Sequence, residues 1–280
     1  MKILITGGKG MLGRTLQKEF ADETLCIADL PECDITDAEK TKAFFASFMP
    51  DVVIHCAAMT AVDRCETEVE LATRLNVEGT RNVAVAADCC GAKLVAISTD
   101  YVFRGDADRP YTEEDIPDPQ TVYGKTKFGG EEMVQRHCQN HLICRISWLY
   151  GAGGPSFVHA MMNLADGSRP QLKVVADQIG NPTSTTAVAR KLRELLRHPE
   201  FRGTWHLTCE GETSWCGFAR EIFRLAGKKQ EVVPCTTAEF PRPAPRPANS
   251  RLEKGMLKKA GLAPMPDWHD ALKEFMQAEF

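Results

Sequence analysis

Short apolar runs punctuate the first half of the chain, and each gives way to small or polar residues and then to apolar positions at helical spacing. Lys2 to Thr6, Thr24 to Ala28, Val52 to Ala58, Leu94 to Ile97 and Leu142 to Ile146 are continuous enough to be strands covered on both faces. Between them, Leu12, Leu16 and Phe20 mark one helix face. Thr36-Asp37-Ala38-Glu39 has the form of a capping box, opening a helix whose Phe44, Phe45 and Phe48 turn inward. A long helix is predicted from about Glu66 to Cys90, carrying Leu71, Leu75 and Val83, and another from a Thr121 N-cap through His137. Strands that alternate with helices predict an α/β fold with a parallel, doubly wound sheet.

After Ser147 the pattern changes. Trp148-Leu149-Tyr150 runs into the loop Gly151 to Pro155, then a helix from Phe157 to Leu164. Val174-Val175 and a polar turn, Asp177 to Thr183, precede a helix with Val188, Leu192 and Leu195 on one face. A short strand at Trp205 to Leu207 and a helix with Phe218, Ile222 and Leu225 follow. The segment Pro234 to Pro247 is too rich in proline for regular helix and reads as an ordered loop leading to Asn249-Ser250-Arg251-Leu252. The expected division is residues 1–150, with roughly 183–200 returning to that unit, and 151–280 as a smaller C-terminal domain.

Composition narrows the function classes. The 280 residues are 43% hydrophobic, with 34 basic against 38 acidic side chains for a net charge of -4 and no long basic block, so nucleic acid and anionic membrane are poor partners. Ile3 to Ile5 is too short for a signal-peptide core and no run approaches a membrane span, so a cytoplasmic location is expected. Eleven cysteines, with no CxxC pair and several inside strand-like runs, predict free buried thiols rather than disulfides or zinc, and no metal site is expected.

The glycines Gly7, Gly10 and Gly13 stand between the first strand and its helix. Gly7 and Gly10 permit a tight turn and close backbone approach to a pyrophosphate, Gly13 permits the helix to pack on the strand, and the helix N-terminus at Met11 and Leu12 presents N–H groups to an anion. This predicts a Rossmann-like dinucleotide site. Asp29 at the end of the second strand is placed to take ribose hydroxyls, with Asp34 and Ile35 flanking the adenine. Ser98 and Thr99 fall at the carboxyl end of the fourth strand, where open sheets place ligands. Tyr123 and Lys127, four residues apart on one helix face, complete a set able to move a proton to or from a carbinol oxygen.

These residues, together with Ser98-Thr99-Asp100-Tyr101-Val102-Phe103, Ser147-Trp148, Asp177-Gln178 through Asn181-Pro182-Thr183, and Arg246 through Leu252, resemble the extended short-chain dehydrogenase/reductases and, within them, the dTDP-4-dehydrorhamnose reductase family over essentially the whole chain. The resemblance implies that Thr99, Tyr123 and Lys127 are catalytic. It implies that Gly10 to Leu12, Asp29, Asp34, Ile35, Ala58, Met59, Thr60 and Ile97 line the dinucleotide, with Lys127 also on the nicotinamide ribose. Thr99, Asp100 and Trp148 would touch a nucleotide sugar, and Arg246 and Arg251 suit its phosphates. The reaction implied is reduction of a C4 ketone by NADH or NADPH. With no arginine or lysine directly beside Asp29, NADH is favoured, while Lys9 and Arg14 could still reach a 2′-phosphate. Two positions depart from the family: Ser156 replaces a usual asparagine near the substrate, and Thr15 stands where some members carry a glutamate that helps hold magnesium between subunits. A homodimer stays open, and a magnesium bridge does not follow. An epimerase or dehydratase on the same fold, or a non-catalytic subunit, are the alternatives.

Overall fold

The computed structural model describes residues 1–165 and 169–280. Five strands, β1 (Lys2–Thr6), β2 (Thr24–Ala28), β3 (Val52–His55), β4 (Lys93–Thr99) and β5 (His141–Ile146), lie parallel in the spatial order β2-β1-β3-β4-β5. A sixth, Gly203–His206, extends the sheet beside β5. Side chains alternate between two cores. Ile3, Ile5, Val52, Ile54, Leu142 and Cys144 face the helices Met11–Glu19 and Thr185–Leu196, whereas Leu4, Val53, Leu94 and Ile143 face the helices Ala38–Phe48 and Thr80–Cys89. Burial on both faces is why the central stretches of these strands run apolar at successive positions rather than at every second one. The order reverses between β1 and β3, and a crevice at that reversal is where such sheets take their ligands.

Several elements differ from expectation. The helix expected from Glu66 to Cys90 is a chain of pieces: Val62–Thr67, Val69–Thr73, a π-helical turn Arg74–Gly79, and Thr80–Cys89. The break falls at Glu68, whose φ and ψ of -117° and 53° are not helical. The wide turn brings Asn76 round to Met59: its Oδ1 accepts the Met59 N–H at 2.8 Å, and its Nδ2 donates to the Met59 carbonyl and to Thr126. Apolar periodicity carries no sign of such a turn, because Leu75 and Val77 are the only large apolar side chains within it and two positions do not fix a period. The cap of the helix Ala38–Phe48 is Asp37, which accepts the Lys40 N–H at 3.0 Å, and not Thr36, whose hydroxyl turns back to Asp34. The segment after Glu231 begins as a strand, Glu231–Cys235, paired in parallel with Gln171–Val175. Pro234 is tolerated there because that two-stranded sheet leaves every strand an edge.

The C-terminal part is built of small sheets. Ile179–Gly180 lies between Thr213–Ser214 and Asn249–Ser250, and Leu149–Tyr150 pairs with Thr183–Ser184. The helices Phe157–Leu164, Trp215–Leu225 and Trp268–Glu279 cover them, capped by the side chains of Ser156, Ser214 and Asp267. No helix among the described residues is long and apolar enough to cross a membrane.

Candidate active site

One cleft of about 1150 Å³ opens over the carboxyl ends of the central strands and runs beneath the C-terminal part. Gly7, Gly10, Met11, Leu12, Gly13, Asp29, Asp34, Ile35, Ala58, Thr60 and Ile97 line one reach, Thr99, Asp100, Tyr123 and Lys127 the middle, and Trp148 and Arg246 the other. Two expected residues lie off its wall. Met59 is buried with its backbone held by Asn76, beside Cys65, Ala72 and Tyr123. Arg251 directs its guanidinium to Asn249 Oδ1, Glu212 and the Asp108 carbonyl.

The glycine end fits a dinucleotide. Gly7 has φ of +70°, a region L side chains rarely enter, and a Cβ on it would stand 2.6 Å from the Ala57 nitrogen. A Cβ on Gly13 would come 2.3 Å from the Gly7 carbonyl oxygen. Backbone therefore packs where side chains would otherwise fill the cradle, leaving the N-terminus of the helix Met11–Glu19 open to a pyrophosphate. Asp29 is oriented by the Lys9 N–H, 2.7 Å from its Oδ2, while the Lys9 ammonium rests on the Leu30 carbonyl. Arg14 Nε bonds the Lys9 carbonyl at 2.8 Å. Lys9 is thus tied to Asp29 through its backbone, and Arg14 is tied to Lys9.

At the middle, the two strand-end hydroxyls part company. Ser98 Oγ donates to Glu131 Oε1 at 2.5 Å, behind the sheet, and Glu131 forms a buried pair with Arg145. Thr99 Oγ1 donates to Asp100 Oδ1 at 3.0 Å and lies beside the Tyr123 phenol. Tyr123 begins its helix because Thr121 accepts the Gly124 N–H at 3.0 Å, and its ring meets Tyr101 edge-on at 5.3 Å between centroids. Burial raises its phenol above the ordinary tyrosine range, opposed by the Thr99 hydroxyl. Lys127 Nζ donates to the Ile97 carbonyl at 2.7 Å, and burial pushes the ammonium down to about 8. Asp100 is buried with Oδ2 unpartnered, and desolvation raises its carboxyl to about 6 against bonds from Ser250 and Thr99. A phenol held neutral, a hydroxyl at its side and an ammonium behind are suited to giving a proton to a developing alkoxide.

His55, between Thr6 Oγ1 at 2.6 Å and Thr80 Oγ1 at 3.0 Å, is kept neutral by burial and is a strut of the sheet. At the far end, Arg246 pairs with Asp63 at 2.9 Å. Arg169, Lys173, Arg242 and Trp215 also line the cleft, and sequence reasoning did not single them out. Arg169 and Arg242 lie outside any strand or helix, Lys173 stands on the exposed face of the short strand Gln171–Val175, and Trp215 opens an amphipathic helix in which an indole reads as core. Ser156 caps the helix Phe157–Leu164 and meets His159 Nδ1 at 2.8 Å, so here the hydroxyl serves the helix end. Thr15 bonds Thr185 at 2.9 Å, joining two helices of one chain.

A family model described as RmlD substrate binding domain matches residues 1–280. A dTDP-4-dehydrorhamnose reductase of Streptomyces griseus is 41% identical over 98% of this chain and 93% of its own length. The crystal structure of a dTDP-4-dehydrorhamnose reductase from Clostridium acetobutylicum superposes with a TM-score of 0.96 at 46% identity, covering 99% of each chain. That of a dTDP-4-dehydrorhamnose reductase from Bacillus anthracis, in complex with NADP, gives 0.96 at 39% identity, again over 99% of each.

Proposed function

The chain belongs to the RmlD substrate binding domain family, and we propose that it reduces the C4 ketone of dTDP-4-dehydro-L-rhamnose to dTDP-L-rhamnose at the expense of NADH or NADPH. The observation that carries this reading is the continuity of the cleft, in which the glycine cradle, the Thr99, Tyr123 and Lys127 set and the Trp148 and Arg246 end share one wall. Residues 1–150, joined by the helix Thr185–Leu196 and the strand Gly203–His206, form the dinucleotide unit, and the rest holds the nucleotide sugar. A bound reduced nicotinamide supplies the hydride. Thr99 and Tyr123 hydrogen-bond the ketone oxygen, and Tyr123 gives its proton to that oxygen as it becomes an alkoxide. The Lys127 ammonium favours the phenolate left behind. Asp100 and Trp148 orient the sugar, and Arg246 leaves Asp63 for the diphosphate.

The test is direct: reduced-nicotinamide absorbance falls when purified protein meets the 4-keto sugar nucleotide. A protein that leaves this compound untouched, yet interconverts UDP-hexoses without net cofactor consumption, is an epimerase. Both cofactors are expected to work, since Asp29 suits a free ribose and Lys9, whose N–H bonds it, together with Arg14, held on the Lys9 carbonyl, offers cations to a 2′-phosphate. Values of kcat/KM for NADH and NADPH differing by more than about 1000-fold, or roughly 4 kcal/mol, would show that one of these groups does not face the ribose.

Because burial pushes the Lys127 ammonium down to about 8, its charge is held well below that pH and lost as pH rises through it. The expected profile of kcat/KM therefore falls on the alkaline side, by about tenfold per pH unit above pH 8. A flat profile to pH 10 would remove Lys127's charge from the mechanism.

A further inference from the structure

Trp148 has φ of 48°, in the left-handed region that a bulky residue enters only when its surroundings hold it there. Two neighbours do so. Its ring stacks on Trp215 with centroids 3.6 Å apart and planes 10° from parallel. Gly180 lies so close that a Cβ there would stand 2.5 Å from the indole Cε2.

Trp215 is itself tethered. Its Nε1 donates to Gln178 Oε1 at 3.1 Å, and Gln178 Nε2 donates to Thr237 Oγ1 at 3.0 Å. Gln178 is buried, so its amide has these partners in place of water. Thr237 is held in turn by Asp177, which accepts from its N–H at 2.9 Å and its hydroxyl at 2.7 Å. Thr237 opens the turn that leads to Phe240, Arg242 and Arg246 on the cleft wall. An unbroken line of contacts thus joins the indole to the segment carrying the cations.

We propose that Trp215 and Gln178 are positioning residues, which set the Trp148 indole against the sugar of a bound nucleotide sugar and couple its place to the 237–246 segment that receives the diphosphate. This rests on the function proposed above. The indole cannot hold its backbone conformation alone, and the stack and tether make its position depend on that segment.

Of the four tryptophans, only Trp148 and Trp215 stack on each other, so their far-ultraviolet circular-dichroism couplet reports this pair. In the wild type, dTDP alone, which has the diphosphate and no sugar, is expected to change the couplet. In Gln178→Leu, dTDP is expected to bind within about 3-fold of wild type and leave the couplet unchanged. Trp215→Leu is expected to raise KM for the sugar nucleotide about 10-fold, the upper worth of an aromatic pair, while the Kd for dTDP stays within about 3-fold. Trp215→Phe keeps an aromatic face and recovers most of the loss. An unchanged KM in Trp215→Leu overturns the inference, as do equal losses for dTDP and for the sugar nucleotide, which would make Trp215 a support of the fold only. So does dTDP binding to the wild type with no change in the couplet. If the wild type fails to bind dTDP at all, it is the proposed function that falls, and the inference with it.

Discussion

Tyr123→Phe is expected to fold, bind its dinucleotide with unchanged affinity and turn over about 100- to 10,000-fold more slowly, the usual worth of a general acid. The ring packs among Met59, Cys65 and Ala72 and against Tyr101, and phenylalanine keeps all of those contacts. The hydroxyl that the lost phenol leaves behind belongs to Thr99, which retains its bond to Asp100. Stability is therefore expected to change by no more than about 1 kcal/mol. Single-turnover rates, dinucleotide titration and a melting curve separate the three quantities. A rate within a few-fold of wild type would move the acid elsewhere, and Asp100 is the group to examine next, since its carboxyl is raised to about 6 and its Oδ2 has no partner. Asp100→Asn in the Tyr123→Phe background would then remove the residual rate.

The parts of the site carried by local geometry were visible in the residues. A strand, a glycine loop and a helix declare themselves because each has its own period, and the Tyr123 and Lys127 spacing places both on one helical face whatever surrounds them. Thr121 as an N-cap is local in the same sense, since its bond spans three residues. What was hidden lies across distance. Nothing in the run Ser98-Thr99 says that the first hydroxyl turns back to Glu131 and the second forward to Asp100, because the partner of Ser98 comes from another element. Arg251 shows the same limit: an arginine near a cleft suits phosphate, but Glu212, Asn249 and the Asp108 carbonyl already surround it. Trp215 reads as core until Trp148, from a distant segment, is laid on its face.

Glu131→Leu is expected to destabilise the protein by about 3–5 kcal/mol. The carboxylate is 2% exposed and Arg145 4%, so neither has water to fall back on. Two bonds join them, Nε to Oε1 at 2.9 Å and Nη2 to Oε2 at 2.7 Å, and Ser98 adds a third. Leucine at 131 would strand the Arg145 charge in the protein interior, facing the Phe103 ring at 4.9 Å. Against a total stability of about 5–15 kcal/mol, that loss is large enough to populate unfolded chain. The double variant Glu131→Leu, Arg145→Leu removes both charges and is expected to regain most of the loss, because two apolar side chains need no partner. Urea midpoints of the two variants and the wild type measure this. A single variant within about 1 kcal/mol of wild type, or a double variant no better than the single, would mean that the pair is solvated despite its burial. Activity is expected to follow a different course. Ser98 precedes Thr99 on β4, and Glu131 lies one turn beyond Lys127 on the Tyr123 helix, so the Ser98–Glu131 bond ties the strand bearing the hydroxyl to the helix bearing the phenol and the ammonium, while Arg145 ties that helix to β5. In the double variant the fold recovers but that tie does not. A misplacement of about 1 Å can lower a rate by about 100-fold, so kcat/KM is expected to stay depressed where the urea midpoint has returned.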